Sequence, residues 1–395
     1  MSLNFRALPL AFSLVALVAL AGVHLKYLRN VRAEEFLRVF TYQLRDKHFA
    51  DAQQKIETSL KLSPNNAHFL SNAGLLHERM LQRSFDFETF RNPQLSEADS
   101  AHIKTAIQFY KRVLELNPND DNAAHNLGWL SWLINRRQDA FNYLRRATDV
   151  NSDIPLYRIS LGLLHEYTGE LDAAYQEYSQ AIRISPSVMD SQFFIDLRKR
   201  SPARAEKIIN DVTAEFQEQA RLGGGPTVKA KLGKLLLDRQ PDAAAKVLEE
   251  ATAALSNLSR PWINLGWLYE QRGEGDRAEL SYKKAIFIDG GETAVFFRLA
   301  NYYDSKQRTQ EAINFYRRAV QSWIDQTTVH ASRVRRIYIS RSTVRDDVIP
   351  KGFSTYTNPA FDIDWTYARL ATLYRQTGNP AQAEQYEKLR KEYVP

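Results

Sequence analysis

The chain has 395 residues, with 53 Lys and Arg against 46 Asp and Glu, a formal net charge of +7 at pH 7, and no cysteine. The missing thiol excludes cysteine nucleophiles, Cys-based metal sites and disulfides. The net charge is modest for this length, and no recognised nucleic-acid motif accompanies it, so nucleic acid is not expected as a partner.

The first predicted element is an apolar helix. "ALPLAFSLVALVALAGVHL", residues 7–25, carries no formally charged side chain. At about 1.5 Å per residue it nearly spans a 30 Å hydrocarbon core. We expect residues 1–26 to be an N-terminal transmembrane anchor, or an uncleaved signal. Ala19-Leu20-Ala21 is the kind of small-residue site where a signal peptide is cleaved, so a removed leader is the alternative. Lys26, Arg29, Arg32 and Arg38 follow the apolar run, whereas only Arg6 precedes it. The positive-inside bias then favours a single-pass protein of a bacterial inner membrane with its remaining mass cytoplasmic rather than periplasmic.

From residue 33 onward, small and large apolar residues recur at three- and four-residue steps, in pairs of stripes broken by turn residues. A first pair starts at Ala33 with Phe36, Ala52, Ile56 and Pro64. A second starts at Ala67 with Ala73, Gly74 and His77, but its partner stripe (Ala106, Tyr110, Pro118) is delayed by an insertion near 78–100. Pairs follow from Asp121 (Leu127, Gly128, Ala140, Ala147) and from Pro155 (Leu161, Gly162, Gly169, Ala174, Tyr178, Ala181, Pro186). A degenerate unit covers 189–222, and Gly223–Gly225 reads as a linker between two blocks, 33–222 and 226–395.

The second block opens at Pro226 with Leu232, Gly233, Leu248 and Ala251. At Ser259 comes the clearest pair, with Trp262, Leu265, Gly266 and Tyr269, then Ala278, Tyr282 and Ala285. Another starts at Thr293 with Leu299, Ala300, Tyr303, Ala312, Tyr316 and Ala319. After an insertion near 322–361, a last pair starts at Asp364 with Leu370, Ala371, Tyr374, Gly378 and Ala383. The start-to-start steps 121→155 and 259→293 are both 34 residues.

This pattern resembles the tetratricopeptide repeat (TPR), a 34-residue helix–turn–helix with a W-x2-L-G-x2-Y…A-x3-F…P signature. The resemblance covers nearly everything from residue 33 to the C-terminus. It implies an all-α solenoid of stacked helical hairpins, a right-handed superhelix, because one hairpin cannot bury both of its faces. It also implies where a ligand goes: a concave groove lined by the second, fifth, ninth and twelfth positions of each first helix.

Carried over by register, the third unit presents Asn122, His125, Trp129 and Trp132, and the fourth Leu156, Ile159, Leu163 and Glu166. Trp129 and Trp132 would form an apolar platform if exposed; the competing reading has the insertion with Phe85, Phe87 and Phe90 folded over them. Past the glycines, Lys234, Asn264, Trp267, Arg298 and Asn301 point into the same groove. Asn264 and Arg298 resemble members of the carboxylate clamp of some TPR domains. Ala230 and Ala294 depart from it, standing where that clamp has lysines, and so does Lys234, which replaces an asparagine. A basic-polar site for an acidic segment is the looser expectation.

"SRVRRIYISRSTVR", 332–345, mixes β-branched residues with arginines and reads as a short hairpin. Arg333, Arg335, Arg336 and Arg341 are candidates for contacting a partner or lipid headgroups.

No catalytic constellation emerges. The eight histidines are scattered without H-E-x-x-H, and "GGGPTVKAK" lacks P-loop order. We expect no enzyme, cofactor or metal site. The reading is a membrane-anchored scaffold or adapter that binds partner proteins and helps assemble or localise a complex. The alternatives are a structural subunit of an integral membrane complex, or a periplasmic accessory of polysaccharide or envelope assembly with tryptophans stacked on a glycan.

Overall fold

The computed structural model describes residues 48–81, 94–255, 257–288, 293–328 and 363–393. Over these residues the chain is all-α, with seventeen α-helices, one short 3-10 helix and no strand. It divides into two compact units with the break at Val150. The glycine run 223–225 therefore lies inside the second unit.

The first unit contains α1 (Phe49–Leu62), α2 (Ala67–Arg79), α3 (Glu97–Leu116), α4 (Asp121–Leu133) and α5 (Arg137–Val150). α2 pairs with α3, and α4 with α5. Side-chain caps fix the entries: Asn66 Oδ1 accepts from the His68 amide at 2.9 Å, Ser96 Oγ from Asp99 at 3.0 Å, and Asp120 Oδ1 from Ala123 at 2.8 Å. Each cap satisfies an amide that the helix itself leaves unpaired.

The second unit contains α6 (Pro155–Tyr167), α7 (Leu171–Ile184), the 3-10 turn Pro186–Asp190, α8 (Gln192–Arg200) and α9 (Pro202–Arg221). It continues with α10 (Pro226–Leu236), α11 (Pro241–Ala254), α12 (Ser259–Gln271), α13 (Gly275–Ile288), α14 (Thr293–Ser305), α15 (Thr309–Thr328), α16 (Ile363–Gln376) and α17 (Pro380–Tyr393). Consecutive helices pair as α6/α7, α10/α11, α12/α13, α14/α15 and α16/α17. The degenerate stretch is the pair α8/α9, with a short first helix of nine residues and a second of twenty.

Close approach inside five of the hairpins rests on a glycine (Gly74, Gly128, Gly162, Gly233 or Gly266) facing a large side chain, and Ala300 and Ala371 hold the equivalent place in two others. A Cβ added to Gly162 would meet Tyr178 at 2.4 Å, and one at Gly266 would meet Tyr282 at 2.6 Å. No side chain fits at that distance, so the tyrosine ring lies directly on backbone and is itself buried, at 1% and 0% exposure. Alanines complete the seam: Ala140, Ala147, Ala174, Ala181, Ala278, Ala285, Ala312 and Ala319 are all fully buried.

The turns repeat too. Gly169, Gly273 and Gly378 have φ of 83°, 74° and 75°, and the matching places in two other hairpins hold Asn135 (60°) and Gln307 (57°). A left-handed residue here closes the first helix and lets the next begin.

Several expectations fall outside the described residues: the anchor at 1–26, the first helix of the Ala33 unit, the middle of the first insertion, and the arginine-rich segment with Arg333, Arg335, Arg336 and Arg341. Among the described residues, no helix is long and apolar enough to cross a membrane. α15 continues to Thr328, several residues past the expected start of the second insertion.

Candidate functional site: the first-helix face of the second unit

Neighbouring first helices touch one another: α10 packs on α12, and α12 on α14. Their register sets Lys234, Asn264, Trp267, Arg298 and Asn301 in one row, and all five are half-buried. α16 extends the row with Trp365, which is 43% exposed. Its indole stands edge-on to Phe297 at 5.7 Å and to Tyr316 at 5.8 Å. Phe297, at the fifth position of its own repeat, is thereby covered. Trp365 occupies the second position of the last repeat, so the register rule that yielded Trp267 also points to it.

The charges on this face are largely satisfied from within. Lys234 Nζ lies 2.8 and 2.9 Å from the two carboxylate oxygens of Asp190. Arg298 donates to the Tyr282 hydroxyl, which itself donates to Glu270 Oε2 at 2.9 Å. The Asn301 carbonyl accepts from Tyr316 at 2.6 Å. Tyr316 also reaches Asp304 Oδ2 at 3.1 Å, and Arg369 grips Asp304 at 2.6 and 2.7 Å.

The same arrangement appears at the start of the unit. Tyr178 donates to Glu166 Oε2 at 2.5 Å, and Arg200 binds both oxygens of Glu166 at 3.1 Å. In each case a tyrosine of the second helix donates to a carboxylate at the twelfth repeat position and an arginine of the following first helix joins it, Arg200 and Arg369 at the carboxylate and Arg298 at the tyrosine hydroxyl. In the first unit, Tyr110 likewise donates to Glu78. This network ties one hairpin to the next, and it was missed from sequence. The signal that could have revealed it is the acid recurring at 78, 166, 270 and 304 opposite Tyr110, Tyr178, Tyr282 and Tyr316.

Electrostatics follow from these contacts. Burial, reinforced by the neighbouring carboxylate, pushes Tyr178, Tyr282 and Tyr316 well above the ordinary phenol value. The bond to Asp304 raises Arg369. Phenols held neutral beside carboxylates are poor bases and poor nucleophiles, so they serve as donors that fix geometry. Among the described residues, no group of three or more His, Asp or Glu is placed to hold a metal ion.

The first-unit candidates sit differently. His125, Trp129 and Trp132 are 1%, 7% and 5% exposed. The Arg137 guanidinium lies over the Trp132 ring at 5.7 Å. Neither indole offers an open face. Leu156, Ile159 and Leu163 are buried as well, and Glu166 is committed to Tyr178 and Arg200. Of the looser basic site, Lys234 is engaged by Asp190 and Arg298 donates to the Tyr282 hydroxyl.

Sequence models described as tetratricopeptide repeat match residues 126–188, 262–288 and 293–322. A TPR repeat-containing protein of Methanocaldococcus jannaschii is 19% identical over 357 residues, covering 84% of this chain and 58% of its own length. Cellulose synthase operon protein C of Pseudomonas fluorescens is 25% identical over 249 residues, 56% of this chain and 19% of that protein. This chain thus spans under two thirds of either relative. Similar solved structures include YrrB, a TPR protein with an unusual peptide-binding site (16% identity, 56% of this chain and 96% of that one, TM-score 0.24). MamA (18%, 59% and 98%, 0.21) and the APC/C hetero-tetramer Cut9-Hcn1 (13%, 74% and 62%, 0.32) are others. The chain carries tetratricopeptide repeats, and its described residues form an all-helical array of TPR-type hairpins.

Proposed function

We propose that this protein is a membrane-anchored scaffold whose second unit captures a partner protein on the face formed by α10, α12, α14 and α16. The observation behind this reading is the row Asn264, Trp267, Asn301 and Trp365. Amides and indoles stand half-buried or exposed on successive first helices, while the residues that close the hairpins are fully buried. Aromatic anchors beside hydrogen-bonding amides are the usual makings of an interface centre. Because Asp190 and Asp304 already engage Lys234 and Arg369, and Arg298 donates to the Tyr282 hydroxyl, the fitting partner is a neutral, extended or helical protein segment. A terminal carboxylate would have to displace one of those acids. The apolar run 7–25 supports the anchor, and the positive residues after it favour a cytoplasmic repeat array. In this reading the protein acts by binding.

Photo-crosslinking from Trp267 and Trp365 positions in native membranes, followed by mass spectrometry, tests this reading. A single recurrent polypeptide is expected, and its yield should fall at least about tenfold in a Trp267→Ala/Trp365→Ala variant, the loss that removing interface anchors brings. Crosslinks unchanged by those substitutions would refute it.

A second reading, an accessory of envelope polysaccharide assembly, draws on the relative named cellulose synthase operon protein C. The burial of Trp129 and Trp132 weighs against glycan stacking there. Glycan capture by the isolated full chain would favour this reading over the first.

A further inference from the structure

His77, in the last turn of α2, and His102, in the second turn of α3, meet across the hairpin with their Nδ1 atoms 3.0 Å apart. The ring centroids are 5.3 Å apart. The difference is about two ring radii, so the nitrogens face each other head-on, in line for an N–H···N bond. Phe109 stacks on His77 at 5.9 Å and shields one side of the pair. A bridging zinc is a poor fit, because about 2.0–2.1 Å from each nitrogen cannot be met between collinear atoms at this separation.

A bond of this kind has one strict requirement: one ring carries its proton on Nδ1 while the other leaves Nδ1 bare. It survives in the neutral pair and in the singly charged pair. It cannot survive when both rings are imidazolium, since two donors then oppose each other without an acceptor.

We propose that His77 and His102 form a proton-operated clasp, closing the end of the α2–α3 hairpin near neutral pH and releasing it in acid. The surrounding groups fit this use. Burial and then the neighbouring His102 lower the His77 pKa, and Glu57 of α1 opposes them only in part. Arg79, two residues further along α2, adds a second positive charge at that end. On α3, Asp99 stands one turn before His102, and Glu78 of α2 accepts from the Tyr110 hydroxyl. A lowered His77 pKa gives stability that is complete above the unfolded value of 6.5. That stability is lost as pH falls from there through the folded value.

Unfolding of the full chain and of a His102→Gln variant, followed from pH 7.5 to 5.0, tests the clasp. The wild type is expected to take up more protons on unfolding than the variant over this range, by at most about one, so its stability falls more steeply in acid. Parallel curves would overturn the proposal. So would a rise in the wild-type midpoint on adding zinc or nickel, which would mark the pair as a metal site. If the variant fails to fold, nitrogen-15 imidazole spectra of the wild type decide. At pH 7.5 one of the two rings must be the Nδ1–H tautomer. Two Nε2–H tautomers titrating independently near 6.5 would refute the clasp.

Discussion

Arg369 and Asp304, 65 residues apart in sequence, form a two-point ion pair: Nε to Oδ2 at 2.6 Å and Nη2 to Oδ1 at 2.7 Å. The carboxylate is 13% exposed and the guanidinium 33%. This bond ties the last repeat to α14 across an insertion of more than thirty residues. An Arg369→Ala change strands the Asp304 carboxylate beside Tyr316. It should cost about 1.5–3 kcal/mol, with the larger part from the shielded acid. Hydrogen exchange should rise in α14 to α17 and stay unchanged in α1 to α5. Arg369→Lys should restore only part of the protection, because an ammonium cannot make the planar pair.

Glycines at 266 and 273 carry different loads. Gly266→Ala drives a methyl into the Tyr282 ring and should cost about 1–3 kcal/mol through overpacking. Gly273→Ala meets no neighbour within 4 Å and costs about 1 kcal/mol, through its positive φ alone. Conversely, Gln307→Gly relieves a left-handed residue and should stabilise its hairpin by about 1 kcal/mol. Urea midpoints of the three variants check the order.

An alkaline titration should expose the buried phenols. Tyr269 is pushed up to about 12, by burial first and then by its bond to Glu249. Tyr178, Tyr282 and Tyr316 are shifted in the same direction. Their folded pKa values lie above the unfolded 10.0, so the stability they contribute is complete below pH 10 and fades as pH rises beyond it. Absorbance at 295 nm should therefore show a tyrosine class that ionises only as the chain unfolds. Complete ionisation of all tyrosines near pH 10 in the folded protein would contradict this.

The repeat register was legible because backbone geometry forces it. Ala67, Asp121, Pro155, Pro226, Ser259 and Thr293 each begin a helix where a repeat copy was expected to begin. Gly162 and Gly266 are required by the tyrosines opposite them. Side-chain destinations were less legible. The rule that places Trp129 and Trp267 at equivalent positions cannot say that one is 7% exposed and the other half-buried, since neighbouring elements decide that. Arg298 resembles a ligand contact in the sequence because its partner Tyr282 lies in the preceding hairpin, and spacing on one helix does not reveal it. Trp365 follows an insertion that obscures the repeat period, though its register position marks it.

Exposure alone does not mark the proposed face, and this separates it from other surfaces of the second unit. Leu280 and Phe287, 54% and 91% exposed, lie on α13, a second helix. Phe287→Ser should leave partner capture unchanged while lowering nonspecific association, because a scattered exposed apolar residue is not an interface centre. Co-purification yields from the same membranes, compared with Trp267→Ala, check this.

Site-specific photo-crosslinking in native membranes, with the probe placed in turn at Asn264, Trp267, Trp365, Leu280 and Phe287, tests the central claim most directly. The account predicts one recurrent protein partner from the first three positions and none from the last two. Crosslinks from Leu280 and Phe287 alone, or the same products from all five, would contradict it.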